Sequence, residues 1–90
     1  MRLDLFLKWS RVIHRRTLAR ATCDAGRVEV NGEVARAARP VRVDDVIAVQ
    51  FPARQLRFRV RSIPAAAPGK VAAGEMIEVL ENRRTEDPNH

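Results

Sequence analysis

The residues of this sequence best suited to bind a ligand are the cations of its first third. Positions 2 to 27 hold seven of them, opposed by Asp4 and Asp24. They are Arg2, Lys8, Arg11, Arg15, Arg16, Arg20 and Arg27. Arginine pairs with phosphate through two parallel N–H donors and also stacks on nucleobases. The cluster therefore predicts binding to a polyanion with a phosphate backbone.

Part of this cluster follows one edge of a predicted helix. The segment from Arg2 to Ile13 is apolar almost all round, which indicates a helix in the middle of a small fold. Its charged stripe is narrow and has helical spacing: Asp4, Lys8, Arg11 and Arg15. We expect this edge to face water or a ligand.

Asp4 is the acidic exception in the stripe. It can pair with Lys8 one turn on, or hold in position one of the nearby guanidinium groups, those of Arg2, Arg15 and Arg16. Equally, it can be a carboxylate that the positive end of the helix dipole stabilises. The sequence leaves both interpretations open.

A second helix is predicted after a short break at residues 14–16. Thr17 fits the N-cap, and Gly26 fits the left-handed residue that follows the helix end at Ala25. The inward face is predicted to consist of Leu18, Ala19, Thr22 and Cys23. Arg15 and Arg16 lie at the start, where unpaired N–H groups and the helix dipole favour a phosphate.

Strand patterns take over after the helices. They predict strands at 27–30, 33–35, 41–43, 46–51, 56–61 and 76–80, and the strongest turn signal is Asn31-Gly32. Residues 64–74 predict a loop with one helical turn near 71–73. The fold class is α+β, a helical pair packed on a small, mostly antiparallel curved sheet. We expect one domain over 1–80 and a flexible tail over 81–90.

Arg57, Arg59 and Arg61 form a second basic row in the strand predicted at 56–61. They share one face because side chains alternate along a strand. The row either extends a nucleic-acid surface or is a solvated face of the sheet. Together with Asn31 of the predicted turn, these arginines are candidate secondary contacts.

Catalytic and metal-binding patterns are absent from the sequence. His14 and His90 lie far apart, Cys23 is expected in the core, and Asp44-Asp45 belongs to a predicted turn. Trp9 is also expected in the core, and with aromatic residues at 4% a binder of single strands by base stacking is disfavoured. We expect no catalytic residues, no metal and no cofactor.

The bulk properties are consistent with a small nucleic-acid-binding domain. The 90 residues carry a net charge of +6, and 15 of the 17 cations are arginine. Apolar runs are too short for a membrane span, and Asp4 stands where a secretory leader would be apolar. A single cysteine fits a reducing compartment. We expect a cytoplasmic monomer that does not bind membranes.

Three ordered blocks resemble the RNA-binding domain named after ribosomal protein S-four, whose helix pair and hairpin form the αL motif. The blocks are RLD at 2–4, RRTLAR at 15–20 and GRVEVNG at 26–32, so the motif covers about residues 2–50. The run KWSRVIHRRT at 8–17 and Ala72-Ala73-Gly74 are similar to the RqcP-like proteins of bacterial ribosome-associated quality control. These are relatives of the small heat-shock ribosome-binding protein.

The resemblance implies a ligand and a set of partners. RqcP-like proteins bind obstructed large ribosomal subunits with peptidyl-tRNA, contact large-subunit rRNA and the tRNA, and hold the tRNA in the P site. They support an RqcH-type factor that adds C-terminal alanines to the stalled chain. By this resemblance Arg2, Asp4 and Arg16 are central to the RNA contact. His14 stands where relatives often have lysine or arginine, which removes one cation near neutral pH.

Three alternatives stay open. Two are a heat-shock-type large-subunit recycling factor and a general rRNA- or tRNA-binding assembly factor. The third is a small DNA-binding regulator, which is disfavoured because Ala21 and Asp24, the outward positions after Arg20, cannot read bases as amides or guanidiniums do. We expect a free-standing RNA-binding domain, unlike the pseudouridine synthases, tRNA synthetases and rRNA methyltransferases that carry this domain beside a catalytic one.

Overall fold

The computed structural model describes residues 1–84 as three helices and one sheet. The elements are α1 (Leu3–Trp9), α2 (Arg16–Asp24), β1 (Val28–Val30), β2 (Glu33–Val34), β3 (Val46–Gln50), β4 (Arg54–Val60), α3 (Lys70–Gly74) and β5 (Ile77–Arg84). The sheet is antiparallel with strand order β2-β1-β3-β4-β5. The predicted α+β class is confirmed. Within the described residues no helix is long and apolar enough to cross a lipid bilayer.

The core lies between the N-terminal helices and one face of the sheet. Phe6 of α1 stacks on Phe58 of β4, with ring centroids 6.4 Å apart and an interplanar angle of 16°. Leu56, Phe58 and Val60 alternate into this core, as predicted from the pattern of β4. The intervening arginines of β4 therefore lie on the opposite, outer face.

Helix α1 is shorter than predicted, because it ends at Trp9 and not at Ile13. Arg11 takes the left-handed φ of 63° and its N–H bonds to the Lys8 carbonyl at 3.0 Å. The chain reverses there so that Ile13 becomes buried in the core. The charged stripe is consequently not one helix edge: Arg11 lies in a turn and Arg15 in the extended residue before α2.

Helix α2 differs from its prediction at its start and on its inner face. It begins at Arg16 with Arg15 as N-cap, so Thr17 is not the cap. Ala19 and Cys23 are buried as predicted, but Leu18 is 56% exposed. A nine-residue helix packed on one side buries only a narrow stripe, and Leu18 lies about 100° round the helix from Ala19.

The turns predicted at Gly26 and at Asn31-Gly32 are present in the structure. Gly26 follows the α2 C-cap with φ 76°, and Asn31 and Gly32 have φ values of 52° and 85° in the β1–β2 hairpin. Asn31 accepts a hydrogen bond from the Val46 N–H at 2.9 Å and donates one to Asp45 at 3.0 Å. Its amide therefore connects this hairpin to the start of β3.

Two predicted strand assignments are wrong. Residues 41–43 do not join the sheet; Pro40 pairs with Arg2, and the Val41 N–H bonds to the Met1 carbonyl at 2.8 Å. The last strand does not stop at Leu80, because β5 pairs with β4 as far as Arg84. Residues 81–84 thus belong to the sheet and not to the predicted flexible tail 81–90. Residues 85–90 lie outside the described part of the chain.

Candidate nucleic-acid interface

A buried carboxylate holds two arginines together where α1 and α2 begin. Asp4 is 1% exposed. Its two oxygens accept hydrogen bonds from Arg2 Nε at 3.1 Å and Arg2 Nη2 at 3.3 Å, and Oδ2 also accepts one from Arg16 Nε at 3.4 Å. The Leu5 N–H donates to Oδ1 at 2.8 Å. Both interpretations of Asp4 hold in the structure, because it lies in the first turn of α1 and also positions two guanidinium groups. We call Asp4, Arg2 and Arg16 the Asp4 cluster.

The two guanidiniums of the Asp4 cluster keep donors for a ligand. Their side chains are 46% and 48% exposed, whereas that of Asp4 is 2% exposed. Within residues 1–84, the hydrogen bonds to Asp4 use Nε of Arg16 and Nε and Nη2 of Arg2, so both Nη groups of Arg16 and one of Arg2 are not used on it. The cluster carries one net positive charge on oriented N–H donors. Such an arrangement suits a phosphate oxygen.

Asp4 remains negatively charged although it is buried. Burial by itself raises the pKa of this carboxyl, but the hydrogen bonds from Arg2 and Leu5 and the positive charges of Arg16 and Arg2 outweigh it. The pKa of Asp4 is therefore lowered from its ordinary 3.8. The carboxylate therefore stays ionised at neutral pH and can pair with both guanidiniums.

Further predicted cations surround the cluster on α2. Arg15 precedes the helix in an extended conformation, and Arg20 lies one turn after Arg16 on the same side. Both are exposed, as is Arg27 beyond the far end of the helix. The structure thus places Arg15, Arg16 and Arg20 along the first half of α2, and Asp4 joins Arg16 to Arg2.

Lys8 and Arg11 belong to a separate part of the surface. Lys8 is one helical turn after Asp4, at the other end of α1, and Arg11 is in the turn that follows. Among residues 1–84 Asp4 forms ion pairs with Arg2 and Arg16, and not with Lys8 or Arg15. Lys8 and Arg11 instead border a small hollow beside Trp9.

The second basic row lies on the outer face of the sheet, away from the helices. Arg59 Nη1 is 3.1 Å from Glu78 Oε1, and Arg57 Nη2 is 3.9 Å from Glu81 Oε2. Arg61 is exposed just beyond the end of β4. The structure therefore does not join this row, or the Asn31 amide engaged in its turn, to the Asp4 cluster.

The sequence analysis did not identify a third group of cations, which lies at one end of the sheet. Arg54 and Arg84 lie directly opposite each other at the end of the β4–β5 pair, next to Arg83. The Arg54 guanidinium lies 4.8 Å from the centre of the Phe51 ring. The adjacent arginines Arg83 and Arg84 could have indicated this group. They were not considered as a site because residues 81–90 were predicted to be a flexible tail.

Cys23 is a buried core residue, as predicted. Burial raises the pKa of its thiol to about 11, and the negative charges of Asp4 and Asp24 act in the same direction. The thiol is protonated at neutral pH. A protonated, buried thiol is a poor nucleophile and a poor metal ligand.

Comparison with known proteins identifies related sequences and folds. The model of the S4 domain matches residues 1–47. The RQC P-site tRNA stabilizing factor of Streptococcus pneumoniae is 37% identical over 87 residues, which cover 97% of this chain and 98% of the relative. The protein of that name from Bacillus subtilis is 37% identical over 84 residues, covering 93% and 96% of the two chains.

A solved structure shows the same fold. The trimeric structure of heat shock protein 15 from Vibrio cholerae matches with a TM-score of 0.81 at 24% identity, over 88% of this chain and 80% of that chain. The sequence relatives extend the likeness beyond the αL motif to nearly the whole chain. The resemblance drawn from the three sequence blocks is thereby confirmed, and the protein belongs to the S4-domain family and, within it, to the RqcP family of RQC P-site tRNA stabilizing factors.

Proposed function

We propose that this protein binds structured RNA through the Asp4 cluster and the adjoining face of α2, and that it stabilises tRNA in the P site during ribosome-associated quality control. The observation that carries the proposal is the buried Asp4 carboxylate, which orients two half-exposed guanidiniums side by side. The names of the relatives point to the same role.

The Asp4 cluster binds the phosphate backbone of the RNA and makes no base-specific contacts. Arg2 and Arg16 donate to phosphate oxygens, and Arg15 and Arg20 extend the positive surface along α2. Because Asp4 already restrains both guanidiniums, less side-chain entropy is lost when a phosphate binds than at free surface arginines. Base-independent contacts suit a ligand recognised by its shape.

The proposed ligand is the obstructed large ribosomal subunit that still carries peptidyl-tRNA. Contacts to large-subunit rRNA and to the tRNA together hold the tRNA in place while an RqcH-type factor adds C-terminal alanines to the stalled chain. The protein contributes charge and shape and no catalytic residue of its own. It acts in the cytoplasm as a monomer bound to the ribosome.

Cosedimentation with free large subunits, with and without peptidyl-tRNA, tests this proposal. We expect the wild-type protein to pellet with the subunits and to do so more completely when peptidyl-tRNA is present. An Arg2→Ala/Arg16→Ala variant is expected to lose most of this binding, because both oriented guanidiniums are gone. Its melting temperature shows whether the unpaired Asp4 carboxylate also weakens the fold. Arg57→Ala/Arg59→Ala is the matched control, since it removes two arginines from the outer face of the sheet.

Two results would contradict the proposal. Equal losses in the cluster variant and the control would show that net charge and not the cluster drives binding. Tighter binding to duplex DNA than to a tRNA or an rRNA hairpin at matched salt would point to the DNA-binding alternative.

A further inference from the structure

A small hollow lies between the turn after α1 and the loop before α3. Its volume is about 250 Å³, and its lining consists of Lys8, Trp9, Arg11, His14, Ala67 and Pro68. None of these lining residues is acidic. It is separate from the Asp4 cluster, which lies at the opposite end of α1.

The lining combines an aromatic wall with a cationic rim. Trp9 packs against the hydrophobic core and, being only partly buried, also borders the hollow. Lys8, Arg11 and His14 are exposed around it. A flat apolar ring beside oriented cations is the pairing that proteins use for one unstacked nucleotide, with the base on the ring and the phosphate on the cations.

The backbone builds this hollow at the end of α1. Arg11 is a non-glycine residue with φ 63°, a conformation that side chains other than glycine seldom adopt. It is held by its own bond to the Lys8 carbonyl at 3.0 Å and by the Ile13 N–H, which bonds to the Leu7 carbonyl at 3.1 Å. The resulting reversal places Lys8, Arg11 and His14 around the same space.

Another part of the lining comes from the loop between β4 and α3. Ala67 and Pro68 present small apolar side chains to the hollow. Pro68 has a restricted backbone, so this part of the lining is stiff. The volume of about 250 Å³ is large enough for one planar base beside Trp9.

We propose that this hollow is a nucleotide subsite, in which one bulged or unpaired base of the bound RNA stacks on Trp9 while its phosphates contact Lys8 and Arg11. This inference rests on the proposed function, because it requires an RNA ligand, and deepens it by naming the kind of nucleotide recognised. It also revises the expectation that Trp9 serves the core alone.

Intrinsic fluorescence tests the subsite directly, because Trp9 is the single tryptophan and the chain has no tyrosine. The full chain is titrated with a short RNA hairpin that carries one bulged adenosine, with the same hairpin carrying an abasic bulge, and with a fully paired hairpin. We expect quenched Trp9 emission and about tenfold tighter binding with the bulged adenosine, within the range that base–aromatic stacking supports.

Two variants separate stacking from packing. Trp9→Phe keeps an aromatic face and is expected to retain most of the preference for the bulged adenosine. Trp9→Leu keeps an apolar side chain against the core but is expected to bind all three hairpins equally, at the affinity the wild type shows for the abasic one. Melting temperatures of both variants report any loss of fold.

The outcomes distinguish the subsite from the proposed function. If the wild type binds all three hairpins equally, or if saturating RNA leaves its emission unchanged, the subsite is overturned while RNA binding stands. If it binds none of the hairpins, the proposed function fails with it. The comparison between the adenosine and abasic hairpins uses the wild type alone, so it decides the matter even if Trp9→Leu does not fold.

Discussion

The two arginine-rich regions of the molecule differ in where their acids lie. In the Asp4 cluster one carboxylate serves Arg2 and Arg16 and is buried, so a positive charge remains on the surface. On the outer face of the sheet Arg57 and Arg59 each have a glutamate of their own, at 3.9 Å and 3.1 Å. The number of arginines is thus a poor guide to a binding site, and the position of the neighbouring acids is a better one.

Burial also sets how firmly each region is organised. The Asp4 side chain is 2% exposed, whereas those of Glu78 and Glu81 are 46% and 41% exposed. Exposed pairs are screened by salt and pay entropy to hold two long side chains, so they contribute little. The Asp4 cluster is therefore preorganised for an anion, whereas Arg57 and Arg59 of the sheet row are each paired with an exposed glutamate that holds them only weakly.

Loss of the buried charge is expected to have the largest effect. Asp4→Asn should lower the free energy of unfolding by about 2 kcal/mol, because two guanidiniums lose a desolvated partner. Urea denaturation measures this change. The control is Glu78→Gln, which neutralises the exposed partner of Arg59 and should cost less than about 0.5 kcal/mol. Equal effects of the two variants would contradict the contrast between buried and exposed acids.

Removal of one ligand-facing guanidinium is expected to affect binding and not folding. Arg16→Ala should weaken binding to an rRNA or tRNA hairpin by about 1–2 kcal/mol and leave the melting temperature nearly unchanged. Filter binding at matched salt measures the affinity, with Arg59→Ala as the control that should change it by less than about twofold. If Arg16→Ala lowered stability as much as affinity, Arg16 would be a structural residue.

Acidification is expected to reduce the difference in stability between the wild type and Asp4→Asn. The folded-state pKa of Asp4 is lowered from 3.8, so its ionised form contributes stability that is complete above the unfolded pKa and is lost as the pH falls through the folded pKa. The difference in unfolding free energy between wild type and Asp4→Asn should be constant near neutral pH and narrow below 3.8. Urea titrations at several pH values measure it, and a difference that widened in acid would refute the assigned direction.

The smallest effect is expected within the sheet row. A double-mutant cycle with Arg59→Ala and Glu78→Ala should give a coupling energy of about 0.2–1 kcal/mol, because both side chains are nearly half exposed. Thermal denaturation at low and high salt measures it, and the coupling should fall as salt rises. A coupling as large as the loss in Asp4→Asn would remove the distinction between the two regions.

Local sequence signals predicted the parts of the fold that local chemistry controls. Gly26 and Asn31-Gly32 take positive φ values where turns were expected, because few other residues tolerate that conformation. The alternation of β4 predicted both its buried face and its row of arginines. The segment at 41–43 also reads as a strand, but it binds Met1 and Arg2 instead of the sheet, which no local pattern reveals.

Residue types and spacing were enough to locate a cationic region in the first third of the chain and to assign its family. They did not show which of the nearby cations Asp4 holds, and they placed Arg11 and Arg15 on a helix edge. Tertiary packing decided these points: Ile13 is drawn into the core, α1 stops at Trp9, and α2 starts where Arg16 reaches Asp4. The physical reason is that burial of Asp4 and the meeting of two helix starts depend on contacts between residues far apart in sequence, and no periodicity within one segment encodes them.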